Sequence, residues 1–163
     1  MKLIRTNTFE TNSSSTHAIA ICSEDTYLKW QNGDLYYDDY TEQFYDKKTR
    51  DEMIKKQIIK SKAKYNCVRM ETDNGTPKLE TSYTYKGKKV IADKIEELFT
   101  KENLDEITEE EIEQFVVPDN YCDIPLTMEE YNDYVQEYYT YEKRYTTRGG
   151  ERIVAFGYYG DDF

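Results

Sequence analysis

Hydrophobic positions along the chain occur in short runs near both ends and in the middle, and these runs predict strands. The run at 18–22 is continuously apolar, which predicts a buried strand at 17–22, and with 2–9 this strand predicts an N-terminal hairpin. Turn residues separate the central runs, which indicates a three-strand meander. The last run follows Gly149 and Gly150 and predicts a closing strand. We predict strands at 2–9, 17–22, 67–72, 79–85, 88–92 and 151–159.

Helical spacing of apolar residues predicts three to four helices. A first helix covers 49–65, with Thr49 as its N-cap and lysines on its polar face. A second covers the region around Leu98 and ends near Lys101. The runs 108–111 and 127–130 both fit the capping-box pattern, so two more helices are expected to begin there, the later one continuing through Tyr138. Together with the strands, these helices predict an α+β fold.

The chain between the first strands and the first predicted helix is less regular. Asn32, Gly33 and Asp34 form a turn signal. Residues 34–45 carry tyrosines among acids without a clear period, so we expect a loop or an irregular edge there. The length of 163 residues suits one domain, and we expect residues 1–163 to form a single α+β domain.

Charge is distributed unevenly along the chain, whose net charge is -11. Residues 47–89 hold 13 basic and five acidic side chains and form a basic segment. Residues 90–142 hold 17 acidic and two basic side chains and form an acidic helical segment. Such acidic helices have three interpretations: solvated faces, oxygen ligands for a metal, or a surface that mimics nucleic acid and docks on a basic partner. The EF-hand spacing of acids is absent, which argues against the metal.

The composition excludes several classes of protein. Cys22, Cys67 and Cys122 lie far apart without a Cys-x-x-Cys pair, which argues against a disulfide framework and a zinc site. The chain has no Gly-x-x-x-x-Gly-Lys-Ser/Thr loop, which argues against an NTPase. No run resembles a signal peptide or a membrane span, so we expect a cytoplasmic protein without cofactor or membrane partner.

The acidic segment and the tyrosines supply the first candidate site, a partner-binding surface. Tyrosine is the main aromatic residue, with 17 copies, and its amphipathic ring suits protein interfaces. Carboxylates on helices speed association with a basic surface. The candidate partner-binding residues are Glu109, Glu110, Glu113, Glu129, Glu130, Asp133, Tyr138 and Tyr139.

The second candidate site is the polar run in front of the strand at 17–22, which contains the only histidine. Hydroxyls and backbone N–H groups in a tight loop can hold a phosphate, which points to a small nucleotide-binding enzyme. The same residues also suit a turn whose side chains bond to their own backbone. The candidate ligand-binding residues are Arg5, Glu10, Ser13, Ser14, Ser15, Thr16 and His17.

The opening run Ile4-Arg5-Thr6-Asn7-Thr8-Phe9-Glu10-Thr11-Asn12-Ser13-Ser14-Ser15-Thr16-His17 resembles the start of small proteins encoded by phages and mobile elements of low-GC Gram-positive bacteria. The resemblance implies an accessory protein, for which countering host defence is a leading role. We therefore expect an anti-defence inhibitor, similar in role to an anti-CRISPR protein. Its expected partner is a host protein with a basic surface, such as a nucleic-acid-guided nuclease.

Overall fold

A computed structural model of the protein describes residues 15–71, 77–117 and 124–161. Antiparallel sheets and helices alternate in it, which confirms the α+β class. The chain groups into two compact units. The first unit is formed by residues up to Arg50 and from Val117 onward, and the second by Asp51–Val116. The predicted strand at 2–9, and with it the predicted N-terminal hairpin, lies outside the described residues.

The first unit is built on a three-stranded antiparallel sheet. Its central strand is β8 (Arg152–Asp161), which pairs with β1 (Ser15–Ser23) on one side and with β7 (Tyr139–Thr146) on the other. Strand β8 confirms the predicted closing strand. Strand β7 was not predicted, because the spacing of Tyr131, Tyr134 and Tyr138 is also helical.

One face of this sheet is covered by helices and a hairpin. Helix α1 (Glu24–Gln31) follows β1 directly, and the Ser23 hydroxyl caps it by accepting a hydrogen bond from Thr26 N–H at 3.1 Å. Strands β2 (Tyr36–Asp38) and β3 (Gln43–Tyr45) form a hairpin where a loop was expected. Two backbone hydrogen bonds between Tyr37 and Leu126 join this hairpin to the chain at 124–126.

Helix α5 (Met128–Tyr134) begins with the predicted capping box, in which Thr127 and Glu130 bond to each other's backbone N–H groups. The helix ends at Tyr134, so the prediction that it continues through Tyr138 is wrong. The helix gives way to a turn at 135–137 because Tyr139 and the residues that follow pair with β8. Pairing with a distant strand here overrides local helical spacing.

An aromatic cluster forms the core of the first unit. Trp30 is 1% exposed, and its ring centroid lies 5.2 Å from those of both Tyr131 and Phe156. Its indole N–H donates to the Leu126 carbonyl at 3.0 Å, so its polar group is satisfied in the core. Tyr37 lies 5.4 Å from the same indole. These rings fix α1, α5 and the β2–β3 hairpin on the sheet.

The second unit contains the predicted meander, as β4 (Lys64–Glu71), β5 (Pro77–Tyr85) and β6 (Lys88–Ile91). Helix α2 (Lys47–Lys62) confirms the predicted basic helix, but Asp46 rather than Thr49 is the capping residue. The Asp46 carboxylate accepts from Thr49 N–H at 2.8 Å. Ile54, Ile58 and Ile59 form the buried stripe of α2.

Three short helices follow β6 in the second unit. The chain forms a 3-10 helix (Ala92–Leu98), then α3 (Lys101–Asp105) and α4 (Glu109–Glu113). The capping box predicted at Thr108 and Glu111 is present at the start of α4. None of the helices in the described ranges combines the length and apolar character needed to cross a membrane.

Candidate partner-binding surface

The β1–β8–β7 sheet carries its tyrosines on the face opposite the aromatic core. Phe156 and its neighbours Val154 and Tyr158 point into the core, so the alternate residues of β8 lie on the other face. The register places Tyr139 opposite Tyr159 and Tyr141 opposite Gly157. We call this surface the tyrosine face and define it by Ile19, Tyr139, Tyr141, Tyr145 and Tyr159.

Three rings of the tyrosine face are in contact, since the Tyr159 ring lies near those of Tyr139 and Tyr141, and most of the face is accessible. Tyr139 and Tyr159 stack with ring centroids 5.5 Å apart and an interplanar angle of 27°. Tyr139, Tyr145 and Tyr159 are 71%, 50% and 44% exposed, and Ile19 is 44% exposed. Large apolar groups grouped on a surface mark an interaction site more often than scattered ones do. The arrangement therefore presents rigid rings to a partner.

Tyr141 is half-buried and holds the face to the neighbouring strand. Its hydroxyl donates to the Ala18 carbonyl at 3.1 Å, across the central strand. The side chain can cross there because Gly157 has no Cβ: a Cβ at that position would lie 2.0 Å from Ala18 O and 2.8 Å from Tyr141 Oη. Burial raises the pKa of Tyr141 to about 12, so its phenol stays protonated and keeps this hydrogen bond at neutral pH.

An ionic cluster on the core side of the sheet ties α1 to β7 and β8. The Glu24 carboxylate is 11% exposed and pairs with Arg152 at 2.7 Å and with Arg144 at 3.3 Å. Glu142 pairs with Arg144 at 3.0 Å and accepts a hydrogen bond from the Tyr27 hydroxyl at 2.9 Å. Two carboxylates and two guanidinium groups therefore neutralise each other and hold this edge of the sheet in place.

A cavity of about 150 Å³ opens next to this cluster, between α5 and β7. Trp30, Tyr131 and Phe156 form its apolar wall, and Glu142 forms part of its polar wall. The Glu142 carboxylate is already bonded to Tyr27 and Arg144, so the cavity offers no uncommitted charge to a ligand.

The predicted acidic residues of the first unit have different environments. Glu130 is committed to the fold, because it accepts from Thr127 N–H and pairs with Arg50 at 2.7 Å. Glu129 and Asp133 are exposed on α5, where they lie four residues apart and share a helix face. No cation of the described ranges pairs with either of them. Their carboxylates are thus available to a basic partner.

The predicted acidic residues of the second unit lie on α4. Glu109 and Glu113 are exposed, and Glu110 accepts a hydrogen bond from the Gln114 amide at 3.1 Å. Their neighbour Glu111 pairs with Lys62 of α2, and this pairing, the largest cause, lowers the pKa of Glu111. The acidic helix is therefore partly neutralised within its own unit.

Further ion pairs join the basic and acidic segments of the second unit. Lys86 pairs with Glu106, and Lys88 lies 3.8 Å from Glu97. The charge separation seen along the sequence is thus reduced where the segments fold together. Exposed pairs of this kind contribute little stability individually, about 0–1 kcal/mol.

Of the predicted tyrosines, Tyr139 lies on the tyrosine face and Tyr138 packs against the core cluster as a half-buried ring. Tyr145 and Tyr159 were not predicted as site residues. The signal available was the period-two spacing of Tyr139, Tyr141 and Tyr145, which is typical of one face of a strand.

The second candidate site falls largely outside the described residues. Arg5, Glu10, Ser13 and Ser14 are not described, and the structure gives Ser15, Thr16 and His17 only as backbone positions of β1. The nucleotide-binding hypothesis for this run stays a prediction.

A second group of exposed apolar side chains lies on the β4–β5 hairpin of the second unit. Val68, Met70 and Leu79 are 50%, 47% and 66% exposed. Val68 and Met70 lie on one face, whereas Leu79 is opposite Arg69 in the register and lies on the other face. Because they are divided between two faces, they form a less continuous surface than the tyrosine face.

Comparisons of the chain with protein-family models, with curated proteins and with solved structures found no match.

Proposed function

We propose that this protein works by binding a partner protein through the tyrosine face of its first unit. The observation that carries the proposal is the exposure of Tyr139, Tyr145 and Tyr159 on a sheet whose other face is packed against the core. Tyrosine gives a large contact area at a low cost in side-chain entropy, which is why it is enriched in binding surfaces.

Charge favours a partner with a basic surface. Residues 124–142 contain no lysine or arginine. Within this stretch, Glu129, Asp133 and Glu137 are exposed, and no cation of the described parts of the chain pairs with them. Glu129 and Asp133 lie on α5, which covers the face of the sheet opposite the tyrosine face, so they act by steering the approach of a basic partner. This gain in association rate falls as salt screens the charges.

The N-terminal resemblance supplies the biological context of the proposal. An accessory protein of a phage or mobile element gains from inhibiting a host defence protein, and nucleic-acid-guided nucleases have the basic surfaces that such an inhibitor requires. In this proposal the protein acts as an anti-defence inhibitor that binds such an effector in the cytoplasm and performs no chemistry itself.

The test is capture of a partner from host lysate, followed by binding of the purified partner to variants. Tyr139→Ser with Tyr145→Ser should weaken binding by about a hundredfold or more, because truncating a hot-spot tyrosine costs about 2 kcal/mol or more and each 1.4 kcal/mol is a factor of about ten. Tyr40→Ser is the matched control, since Tyr40 is 80% exposed and lies between β2 and β3, away from the face.

The electrostatic part is tested separately. Glu129→Gln with Asp133→Asn should weaken binding at low salt and have a smaller effect at high salt. A further variant tests whether the carboxylates of α4, in the second unit, also contribute to the affinity for the partner. It combines Glu109→Gln, Glu110→Gln and Glu113→Gln. Equal affinity of the double tyrosine variant and the Tyr40→Ser control would overturn the proposal, and loss of binding in Leu79→Ser alone would move the surface to the β4–β5 hairpin.

A further inference from the structure

The outer edge of β7 is open within the described parts of the chain. Strand β7 pairs with β8 on one side, and no other described strand pairs with it on the other. All but one of its eight residues are exposed, Tyr141 being half-buried. An open edge of this length presents a row of backbone donors and acceptors that can template another strand. The side chains of β7 indicate which strand can pair with this edge.

We propose that β7 pairs antiparallel with β7 of a second copy of this chain, about a twofold axis at Lys143. A twofold axis perpendicular to the sheet keeps core faces and tyrosine faces aligned, so residues that oppose each other must belong to the same face. The axis at Lys143 then places three kinds of residue pairs across the interface, each occurring twice: Glu142 with Arg144, Tyr141 with Tyr145, and Thr140 with Thr146.

All three pairs are of types that stabilise antiparallel sheets, namely opposite charges, aromatic rings and hydrogen-bonding hydroxyls. The charged residues are already arranged for this, because Glu142 and Arg144 of one chain lie 3.0 Å apart with 40% and 46% of their side chains exposed. Two copies would bring together four alternating charges. The cost is the pair of Lys143 side chains at the axis, whose length lets their ammonium groups diverge into solvent.

Neighbouring registers with aligned faces are less complementary. An axis at Glu142 places the two copies of Glu142 opposite each other and Tyr141 opposite Lys143. An axis at Arg144 places the two copies of Arg144 opposite each other and Glu142 opposite Thr146. Both bring like charges together without an opposite charge across the interface, so the side chains of β7 select the register centred on Lys143. In that register the strands β1, β8 and β7 of each copy form one continuous sheet of six strands.

Charge reversal gives a decisive test in the full chain. Glu142→Arg makes both charged positions basic, and Arg144→Glu makes both acidic, so each variant alone opposes like charges across the interface. The dimer dissociation constant of each should rise by about tenfold or more. In an equimolar mixture of the two variants every charged pair is favourable again, so a mixed dimer should form.

Analytical ultracentrifugation of wild type, of each variant and of the mixture measures these equilibria. Far-UV circular dichroism and Trp30 fluorescence show whether each variant is folded, and rescue in the mixture excludes misfolding as the cause of lost dimerisation. Lys143→Thr should lower the dissociation constant, because it removes the like-charge pair at the axis. A wild-type protein that stays monomeric at about 0.5 mM, dimers insensitive to charge reversal, or variants that do not pair with each other would each overturn the proposal.

This interface uses the edge of β7, whereas the proposed partner surface is the tyrosine face. Tyr145 belongs to both surfaces, so the dimer is tested by the charge-reversal variants Glu142→Arg and Arg144→Glu, which leave the tyrosine face unchanged, and by sedimentation without a partner. Either proposal can therefore fail without the other.

Discussion

Arg50 joins the start of α2 to the start of α5, and its removal should destabilise the first unit. Its guanidinium donates to both oxygens of Glu130, at 2.7 and 2.8 Å, and its Nε donates to the Pro125 carbonyl at 2.9 Å. The same group lies 4.6 Å from the centroid of the Tyr36 ring. Arg50→Met keeps the apolar stem and removes all of these interactions.

The size of the effect follows from burial. The Arg50 side chain is 14% exposed and that of Glu130 is 33% exposed, so the pair is only partly screened by solvent. Hydrogen bonds to charged groups contribute about 1.5–3 kcal/mol, and solvent access lowers that figure here. A cation–π contact adds about 0.5–1 kcal/mol. We therefore expect Arg50→Met to lower the free energy of unfolding by about 2 kcal/mol.

Urea unfolding followed by Trp30 fluorescence is the appropriate assay. Trp30 is the only tryptophan and lies in the core of the first unit, so its emission reports on that unit alone. A loss of about 2 kcal/mol moves the unfolding midpoint by about 1 M urea. Glu130→Gln and the double variant complete a thermodynamic cycle, whose coupling energy should be about 1 kcal/mol.

Lys29→Met is the matched control, since Lys29 pairs with Asp25 at 2.8 Å on an exposed helix surface, where the two side chains are 52% and 77% exposed. Its effect on the urea midpoint should be close to zero, because exposed ion pairs on a helix surface contribute little to stability. The reasoning is refuted if Arg50→Met costs no more than Lys29→Met, or if Arg50 and Glu130 show no coupling.

Two further predictions concern buried ionisable groups. Burial raises the pKa of the Cys22 thiol to about 12, so at pH 8 iodoacetamide should alkylate the exposed Cys67 much faster than Cys22. Peptide mass spectrometry measures the two alkylation rates, and equal rates would contradict the prediction. Burial also raises the pKa of Asp39, whose carboxylate accepts from the Tyr158 hydroxyl at 2.8 Å. Protonated Asp39 is compatible with burial, so its contribution to folding stability is present at low pH and is lost as pH rises through its folded pKa. Asp39→Asn should therefore be more stable than wild type at pH 7, with a smaller difference near pH 4. An equal or lower urea midpoint at pH 7 would contradict this prediction.

The elements predicted correctly are those whose signals are local. The capping boxes at Thr108 and Thr127 depend on residues three positions apart, and both are present. The buried stripe of α2 and the turn at Lys86 and Gly87 are likewise contained in short windows. Helix α1 received no prediction, although Ser23 followed by Glu24 and Asp25 is a typical helix start.

The elements predicted wrongly depend on distant partners. Strand β7 exists because Tyr139–Thr146 pairs with β8, and that pairing cannot be read from the window that contains it. In the β2–β3 hairpin, Tyr36 and Tyr37 are both buried, so the alternation that identifies a strand is absent. Tyr36 packs beneath Arg50, whereas Tyr37 belongs to the aromatic core.

The candidate site was predicted in part for the same reason. Exposed carboxylates on α4 and α5 could be named because helix positions follow from local spacing. Glu130 could not be recognised as an ion-pair residue, since its partner Arg50 is 80 positions away. Tyr139 was named, but the face that it shares with Tyr145 and Tyr159 depends on the register of β7 with β8.

Because glycine has no side chain, Gly157 also makes the native pairing of three strands more stable than slipped pairings. A slip of two residues along β8 would keep the core face inward but would place Ala155 or Tyr159 beneath the Tyr141 side chain. A Cβ there would collide with the path of the Tyr141 hydroxyl and with the Ala18 carbonyl, which is backbone and cannot rotate away. A single hydrogen atom in place of a side chain thus makes one alignment of β1, β8 and β7 lower in energy than its nearest competitors.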